Sequence, residues 1–437
     1  MGVMTDKQID KHIPRLRFHE FQNEGAWNES LFGDLFMFLP NNTLSRAELK
    51  EGKGDVYNVH YGDVLIKLNA YTDIQQGKLP AIKNVNDISK YQYARLQDGD
   101  IVIADTAEDE TVGKCTEIGN TKETVVVSGL HTIPCRPKMK FAQAFLGYYM
   151  NSSSFHNKLR PIMQGVKVTS ISKSALQNIY LSFPKSLEEQ HKIADCLSSI
   201  DSYISSINEK IEQLKAHKKR LLQKLFPQNG KTVPEYRFPE FEKDGAWGKE
   251  AMENIFEIRN GYTPSKSNPQ FWEGGTIPWF RMEDIRKNGH ILSDAIQHVT
   301  PSAVKGKGLF PAYSIILATT ATIGEHALII VDSLANQQFT FLTKRESFDS
   351  KLDMLYFHYY MFIIDEWCKQ NTNSGGLLSV NMPAFKQLMV PYPQPTEQKK
   401  IAECFSSIDK TIISYAQKTS LLKQQKTGLI QQLFPTI

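Results

Sequence analysis

Apolar residues recur at alternating spacings of four and three along two long stretches of the chain. The first stretch begins at Ile193 and the second at Ile401, and each keeps the spacing for more than four heptads. A 3.5-residue period predicts a long helix that buries a narrow seam against another helix. The seam residues are Ile193, Leu197, Ile200, Ile204, Ile207, Ile211, Leu214, Leu221 and Leu225 in the first helix, and Ile401, Phe405, Ile408, Ile412, Tyr415, Leu422, Leu429 and Leu433 in the second.

Both predicted helices place a lysine at the same seam position, Lys218 and Lys426. A shared polar residue can define the register of a helix pair, although a lysine whose stem lies along the seam would give the same pattern. A seam this narrow favours pairing of the two helices over packing of each on its own domain. We therefore expect an antiparallel coiled coil that forms a rod between two globular bodies.

The helices belong to a tandem repeat. KIADCLSSID at residues 192–201 returns as KIAECFSSID at residues 400–409, and LLQKLFP returns as LIQQLFP without a slip in register. PRLRFHEFQNEGAW at residues 14–27 returns as PEYRFPEFEKDGAW at residues 234–247. Such self-similarity indicates two related structural units in one chain.

The segments between the repeated phrases mix short β-branched runs, such as DGDIVIADT and YSIILATTATIG, with helix-like aromatic stretches. This pattern predicts an α/β (α+β) fold with two pseudo-repeated mixed domains and two helical regions. The boundaries that we predict are 1–185 and 229–395 for the domains, and 186–228 and 396–437 for the helical regions. The order of strands and helices repeats, while the sequences of the variable segments differ. This combination is expected of a protein that holds two different binding partners at a set separation.

Composition narrows the class of protein. Of 437 residues, 41% are hydrophobic and 11% aromatic, which is typical of a folded chain. No apolar run approaches the roughly 18 residues of a membrane span, and the first residues lack the apolar core of a signal peptide. Five cysteines without a CxxC pair favour reduced thiols. We therefore expect a cytoplasmic protein without a membrane partner.

No catalytic or metal-binding constellation is apparent. The sequence contains no GxxxxGK[ST], HExxH or GxSxG motif, and its eleven histidines have no ligand-like spacing. The acidic turn Asp105, Glu108, Asp109 and Glu110 is typical of a solvated loop, although one carboxylate could accept a hydrogen bond from a cytosine amino group. We therefore predict no catalytic residue and no metal site.

The variable segments are instead rich in amide, hydroxyl, basic and aromatic side chains. Arg and Lys can read guanine, Asn and Gln can read adenine, and Lys, Ser and Thr can bind phosphates. Because the net charge is only +4, any DNA-binding surface must be local. The candidate DNA-binding residues are Lys67, Asn69, Tyr71, Lys83, Arg95, His131, Lys167, Tyr262, Thr263, Ser265, Lys266, Trp279, Arg281, Thr320, Thr322, Asn336, Gln337 and Gln338.

The order of these parts resembles the specificity subunit of type I restriction-modification systems, the HsdS family. The resemblance depends on EEQHKIADCLSSID and EQKKIAECFSSID at the helix starts, on KLFPQ and QLFP at the helix ends, and on GYTPSKSNPQFWEGGTIPW with ATIG and ANQQF in the second unit. It covers nearly the whole chain. It implies that the two domains are target recognition domains, that the helices are conserved spacer regions, and that the chain is non-catalytic.

The resemblance also implies a mechanism and partners. Each recognition domain would read one half of an asymmetric bipartite site in double-stranded DNA, and the helical rod would set the spacer. Two modification (HsdM) subunits with S-adenosylmethionine would methylate adenine. Restriction (HsdR) subunits with ATP and Mg would cleave, and this chain would hold no cofactor.

Three alternatives remain open at this point. One is the specificity subunit of a related system whose modification and cleavage functions are fused in one partner. Another is an adaptor that binds a partner through its helices without binding DNA. The third is an unrecognised nuclease.

Overall fold

The computed structural model describes residues 12–77, 79–165, 167–228, 231–306, 308–373 and 378–435. The chain divides into two compact units. Unit 1 comprises residues 1–208 and 417–437, and unit 2 comprises residues 209–416. Each unit therefore contains one half of each long helix together with one of the mixed domains.

The described residues of the unit 1 domain form thirteen strands and five short helices. The strands are β1 (Asn28–Leu31), β2 (Phe36–Phe38), β3 (Leu49–Lys50), β4 (Val56–Val59), β5 (Tyr71–Asp73), β6 (Ala81–Ile82), β7 (Ile101–Ala104), β8 (Thr106–Ala107), β9 (Cys115–Gly119), β10 (Val125–Ser128), β11 (Thr132–Pro137), β12 (Thr169–Ser170) and β13 (Tyr180–Phe183). The helices are α1 (Phe32–Leu35), α2 (Tyr61–Ile66), α3 (Phe145–Met150), α4 (Ser153–Leu159) and α5 (Lys173–Leu176). The first long helix, α6 (Leu187–Leu225), follows.

Two sheets form the framework of unit 1. The larger has the order β2-β11-β7-β9-β5, and the smaller has the order β10-β4-β6-β3. Every residue of β7 is buried, which agrees with its uninterrupted apolar sequence IVIA and its central place in the larger sheet. Strands β7 and β11 are antiparallel, with Ala104 opposite Thr132.

The core of unit 1 includes the end of the second long helix. Phe434 contacts Trp27, Phe145 and Tyr149, with ring centroids 5.6 to 6.3 Å apart. Edge-on aromatic contacts of this kind contribute beyond the area that they bury. The last repeated phrase, QLFP, therefore docks its phenylalanine in the domain of unit 1.

In unit 2, the described residues of the domain form twelve strands and four shorter helices. The strands are β14 (Gly248–Ala251), β15 (Phe256–Asn260), β16 (Ile277–Phe280), β17 (Ile291–Leu292), β18 (His298–Val299), β19 (Ser314–Ala318), β20 (His326–Ile329), β21 (Leu334–Ala335), β22 (Phe339–Lys344), β23 (Thr372–Asn373), β24 (Ser379–Val380) and β25 (Met389–Tyr392). The helices are α7 (Met252–Ile255), α8 (Met282–Asn288), α9 (Met354–Gln370) and α10 (Met382–Lys386), and the second long helix is α11 (Pro395–Leu433).

The five-stranded sheet of unit 2 has the order β15-β22-β19-β20-β17. Strands β19 and β22 are antiparallel, with Ala318 opposite Phe339, so they correspond to β7 and β11 of unit 1. Phe226, which directly follows α6, packs here against Tyr356, Tyr360 and Phe405. The phenylalanine of each KLFP or QLFP phrase thus fills an equivalent place in a different unit.

Within each unit, the halves of α6 and α11 run antiparallel. In unit 1, Tyr203 contacts Lys418 and Asp201 contacts Lys426. In unit 2, Lys218 contacts Asp409 and the Phe226 ring stacks on Phe405. All the predicted seam residues are buried or half-buried. The predicted mixed α/β domains and the antiparallel pairing of the long helices are therefore confirmed.

The repeated segment at the start of each unit binds the first turn of a long helix through an arginine–glutamate ion pair. In unit 1 the Arg17 guanidinium binds both carboxylate oxygens of Glu189 at 2.7 Å. In unit 2 Arg237 binds Glu397 in the same bidentate way, at 2.8 and 2.6 Å. Both carboxylates are buried, so removing either arginine would leave an uncompensated charge. The repeated arginine and glutamate are therefore explained by docking of each helix on its domain.

In the part of the chain that the structure describes, no helix combines the length and apolar character needed to cross a membrane.

Candidate nucleic-acid interface

The two units share one backbone arrangement at the end of their central strands. In unit 1 the Asp105 N–H donates to His131 O at 3.2 Å, and the Ile171 N–H donates to Asp105 O at 2.9 Å. In unit 2 the Thr319 N–H donates to Gln338 O at 3.0 Å, and the Val380 N–H donates to Thr319 O at 2.9 Å. We call this arrangement the loop frame, defined by Asp105, His131 and Ile171 in unit 1 and by Thr319, Gln338 and Val380 in unit 2.

A glycine closes the loop frame in each unit. The N–H of Gly113 donates to Ala104 O, and that of Gly324 donates to Ala318 O. Both glycines have positive φ, +88° and +93°. A Cβ atom at Gly113 would lie 2.3 Å from Leu159 Cδ1, and one at Gly324 would lie 1.7 Å from Asp365 Oδ1. The positive φ angle therefore favours glycine at both positions, and an added Cβ would in addition require Leu159 or Asp365 to move.

The side chains on the two loop frames differ. Asp105 Oδ1 accepts a hydrogen bond from Thr106 Oγ1 at 2.8 Å and lies 3.5 Å from His131 Nδ1. Thr319, at the equivalent position, is buried, and its hydroxyl lies 3.3 Å from Thr340 Oγ1. One backbone arrangement thus presents a carboxylate and an imidazole in unit 1, and amide and hydroxyl groups in unit 2.

Five of the eleven candidate residues of unit 2 lie at or next to its loop frame. Gln338 belongs to the frame, and Thr320 follows Thr319 and forms a bridge with Ser379. The amide of Asn336 donates to Gln338 Oε1 at 3.3 Å, and the Thr263 hydroxyl bonds to Gln337 Oε1. These partly exposed amides and hydroxyls have the donor and acceptor pairs that suit adenine edges and phosphates.

Trp279 and Tyr262, two of the candidate DNA-binding residues, both take part in the packing of this region. Trp279 is 2% exposed, and its indole N–H donates to Tyr262 O at 3.0 Å. The Tyr262 hydroxyl donates to Ala303 O and accepts from the Lys305 N–H. The sequence alone does not reveal these packing contacts, since burial depends on how the loop folds over the two rings.

Arg281 lies beside this buried pair. Its guanidinium carbon is 5.9 Å from the centroid of the Trp279 ring, and its Nη2 donates to Glu283 at 2.9 Å. The Nε atom is buried and makes no hydrogen bond among the described residues. Ser265 and Lys266 are exposed on the segment between β15 and β16, and Thr322 is half-buried on the loop that Gly324 ends.

In unit 1 the candidate basic residues lie among acidic partners. Lys67 Nζ lies 3.1 Å from Glu51 and 3.6 Å from Asp63, and Arg46 binds the same two carboxylates. The Lys83 ammonium donates to Ala47 O at 2.6 Å, next to Arg46. These contacts bring Lys67 and Lys83 to one segment of the surface, where their charge is partly neutralised.

The other candidates of unit 1 lie in different surroundings. Asn69 lines a cavity of about 410 Å³ whose walls include His156 and Lys426. The Tyr71 hydroxyl bonds to Gln143, and the Arg95 guanidinium bonds to Lys122 O. His131 and Lys167 are exposed. Fewer of the candidate DNA-binding residues therefore lie at the loop frame in unit 1 than in unit 2.

Several ionisable groups that the sequence did not single out are buried. Glu117 accepts hydrogen bonds from the Ala144 and Gly147 N–H groups at 2.6 and 3.0 Å, and burial raises its pKa to about 7. Burial also lowers the pKa of His326 to about 3 and that of His358 well below its usual value. Among the described residues, no group of three or more His, Cys, Asp or Glu side chains has an arrangement that could hold a metal ion.

The family model described as "Type I restriction modification DNA specificity domain" matches the chain twice, at residues 25–216 and 245–424. The chain therefore belongs to this family. The two matches fall on the two halves of the tandem repeat.

Similar proteins carry names that agree with this family. The EcoprrI specificity subunit of Escherichia coli is 45% identical over 169 residues, which cover 39% of this chain and 42% of the relative. The MjaIX specificity subunit of Methanocaldococcus jannaschii is 28% identical over 43% of this chain and 44% of its own length. The matched segments thus span less than half of these two relatives. A putative MjaX specificity subunit from the same archaeon is 25% identical over 83% of this chain and 81% of that protein.

Two solved structures share the fold. The type I restriction-modification S subunit from M. genitalium superposes with a TM-score of 0.55 at 15% identity, covering 97% of this chain and 99% of that chain. A second structure, from a study of the assembly and conformational transition of the type I R-M system, has a TM-score of 0.56 at 16% identity and covers 93% and 97%. At these identities the likeness concerns the fold alone.

Proposed function

We propose that this chain is the DNA specificity subunit of a type I restriction-modification complex and that each unit reads one half of a bipartite site. The observation that carries this proposal is the loop frame. The same backbone hydrogen bonds recur in both units, while the side chains at Asp105 and Thr319, and at His131 and Gln338, differ. A common scaffold with different polar groups suits two readers of different base sequences.

The long helices would set the number of base pairs between the two half-sites. In support, the antiparallel halves are joined in each unit by a lysine–aspartate ion pair, Lys426 with Asp201 and Lys218 with Asp409. Because lysine and aspartate meet in only one register of the helices, these pairs disfavour sliding of one helix along the other. A register that does not slide is what a spacer of constant length requires.

The chemistry would come from partner subunits. Two modification subunits with S-adenosylmethionine would methylate adenine in each half-site, and restriction subunits with ATP and Mg would cleave. This chain would be the non-catalytic component that selects the site. A net charge of +4 is small for a lone DNA-binding protein, and it suits a complex in which the partners make many of the phosphate contacts.

Methylation mapping tests this proposal. The genome of a host that carries the complete system should contain one bipartite motif methylated at adenine, and deletion of this gene alone should abolish it. Exchange of residues 260–340 for those of another family member should change one half-site and leave the other half and the spacer unchanged. Unchanged methylation after the deletion would favour an adaptor that does not bind DNA, and changes in both halves would contradict independent readers.

A further inference from the structure

The two loop frames differ most in charge at one position. Asp105 and Thr319 occupy equivalent places, each one residue beyond the alanine that ends the central strand, Ala104 or Ala318. Each donates its N–H to the residue that precedes the partner strand. A comparison of these two side chains is therefore a comparison at constant backbone geometry.

Thr319 faces inward and Asp105 does not. Thr319 is 8% exposed, and its hydroxyl lies within 3.5 Å of Gln338 O and Thr340 Oγ1. The Asp105 side chain is 27% exposed. Among the described residues its Oδ1 is bonded to Thr106, whereas its Oδ2 makes no hydrogen bond. Unit 1 thus presents an acceptor oxygen where unit 2 presents none.

The neighbours of Asp105 hold its carboxylate in one orientation. The Thr106 hydroxyl donates to Oδ1 at 2.8 Å, and His131 Nδ1 lies 3.5 Å from the same oxygen. His131 has a left-handed backbone, with φ of +53°, and its ring packs edge-on against Tyr61 at 5.4 Å. Backbone strain of this kind persists where the surroundings hold a residue in place, and it is common at binding sites.

A carboxylate on a DNA-reading surface is unfavourable unless it meets a donor, because the phosphates of DNA repel it. In the major groove the exocyclic amino groups of cytosine and adenine are the donors, and Asp or Glu accepts from cytosine N4. A carboxylate with one oxygen bonded to the protein and the other open has the geometry for one such contact.

We propose that Asp105 is a specificity-determining residue of unit 1, whose Oδ2 accepts a hydrogen bond from the exocyclic amino group of one base in the first half-site. Thr106 and His131 position the carboxylate. Unit 2 has no equivalent determinant at this position of its frame, since Thr319 is turned into the domain. The inference rests on the proposed function, which it deepens by naming a residue and the chemistry of the base.

The test measures methyl transfer by the purified complex of this chain with its modification subunits. Duplexes carry every base at each position of the first half-site other than the adenine that is methylated, together with analogues that lack only the amino group, 2-pyrimidinone for cytosine and unsubstituted purine for adenine. With the natural chain, loss of the amino group at one position should lower kcat/KM by roughly five- to a hundredfold. Whichever analogue produces this loss identifies cytosine or adenine as the partner.

In the variant Asp105→Ala this discrimination should largely disappear, since the side chain then offers no acceptor to the amino group. Asp105→Thr introduces the residue that unit 2 already has at this position of the frame, and it should abolish the discrimination as well. Glu108→Gln is the matched control, because Glu108 is an exposed carboxylate on the same loop and should retain the natural preference. The second half-site and the spacer should be unchanged in all three variants.

Three results would overturn the inference. They are discrimination in Asp105→Ala equal to that of Glu108→Gln, an equal loss of kcat/KM on all duplexes, and a change in the second half-site. Failure of the proposed function is a separate outcome, since the natural complex would then methylate no bipartite site at all.

Discussion

Lys218 of the first long helix lies 2.7 Å from both carboxylate oxygens of Asp409 of the second. Unit 1 repeats this relationship, with Lys426 lying 2.6 Å from both oxygens of Asp201. Each aspartate also accepts a hydrogen bond from a tyrosine of its domain, Tyr359 or Tyr148, and each lysine lies 5.1 Å from the centre of the same tyrosine ring. The two helices and the domain of each unit are thus joined at one ion pair.

Replacement of Lys218 by Met should destabilise unit 2, because the stem would remain while Asp409 would lose its cation. We expect a loss of about 1–3 kcal/mol, the usual value for hydrogen bonds to charged groups that are partly shielded from water. Urea denaturation of the purified chain measures it, and a double-mutant cycle with Asp409→Asn isolates the pair.

Lys215→Met is the control for that substitution. Lys215 is exposed, and among the described residues it pairs with Glu212 alone, on its own helix, so its loss should cost less than about 0.5 kcal/mol. Equal effects of the two substitutions would show that the seam lysine is no more important than a surface lysine.

Insertion of one heptad into both long helices, after residues 208 and 416, should lengthen the preferred DNA spacer. Seven helical residues add about 10 Å, which corresponds to about three base pairs. Both ion pairs would keep their register, since each lies within one unit. Methylation mapping should therefore find both half-sites unchanged and about three more base pairs between them.

The same heptad placed in only one helix is the informative control. It shifts the register of the helices, so the two lysine–aspartate pairs cannot form together and site-specific methylation should fall sharply. An unchanged spacer in the variant with both insertions would contradict the proposed role of the helices.

The stability of unit 1 should fall as the pH rises from about 4.5 to about 7, because burial raises the pKa of Glu117 to about 7. In this range the unfolded chain has already released the proton that the folded chain retains, so deprotonation favours unfolding. Glu117→Gln should remove this contribution, which is on the order of 1–3 kcal/mol. Denaturation curves at several pH values measure the change in slope.

Glu123→Gln provides the comparison for Glu117→Gln, because Glu123 is an exposed carboxylate of the same unit. Its replacement should leave the pH dependence of the natural chain intact. Parallel slopes for the natural chain and Glu117→Gln would contradict the effect of burial on this carboxyl.

Replacement of Gly324 by Ala should damage unit 2 by about 2–4 kcal/mol, since the new residue would combine a φ of +93° with a clash against Asp365. Gly274→Ala is the matched control, because Gly274 also has positive φ but a Cβ added there would have no atom within 4 Å. That substitution should cost about 1 kcal/mol. Thermal unfolding compares the two, and equal costs would mean that crowding at the loop frame is unimportant.

The candidate DNA-binding residues show which features of the site can be predicted from the sequence alone. Amides and hydroxyls at Thr263, Asn336, Gln337 and Gln338 could be identified as a set, because they lie in loops whose composition differs between the repeats. The same composition groups Trp279 with them, yet its ring is buried. Whether an aromatic ring is covered depends on contacts made far along the chain.

Asp105 illustrates the opposite case. In the sequence it belongs to an acidic turn with Glu108, Asp109 and Glu110. Nothing in that turn marks Asp105 as the carboxylate with a binding role. In the structure it alone of the four lies on the loop frame, bonded through its backbone to His131 and Ile171. Alignment of IVIADT with IILATT places Asp105 opposite Thr319, but only the structure shows that the two residues make the same backbone hydrogen bonds.

By itself, the sequence determined the tandem repeat, the mixed domains and the two long helices with their seam, because periodicity and repetition are local properties that sterics and hydrophobic burial translate directly into helices and strands. Only the tertiary structure decided that Lys218 meets Asp409, that Arg17 meets Glu189, and that Trp279 is covered. These pairings depend on which surfaces the folded chain brings within a few ångströms. Local sequence patterns do not contain that information for residues that are far apart in the chain.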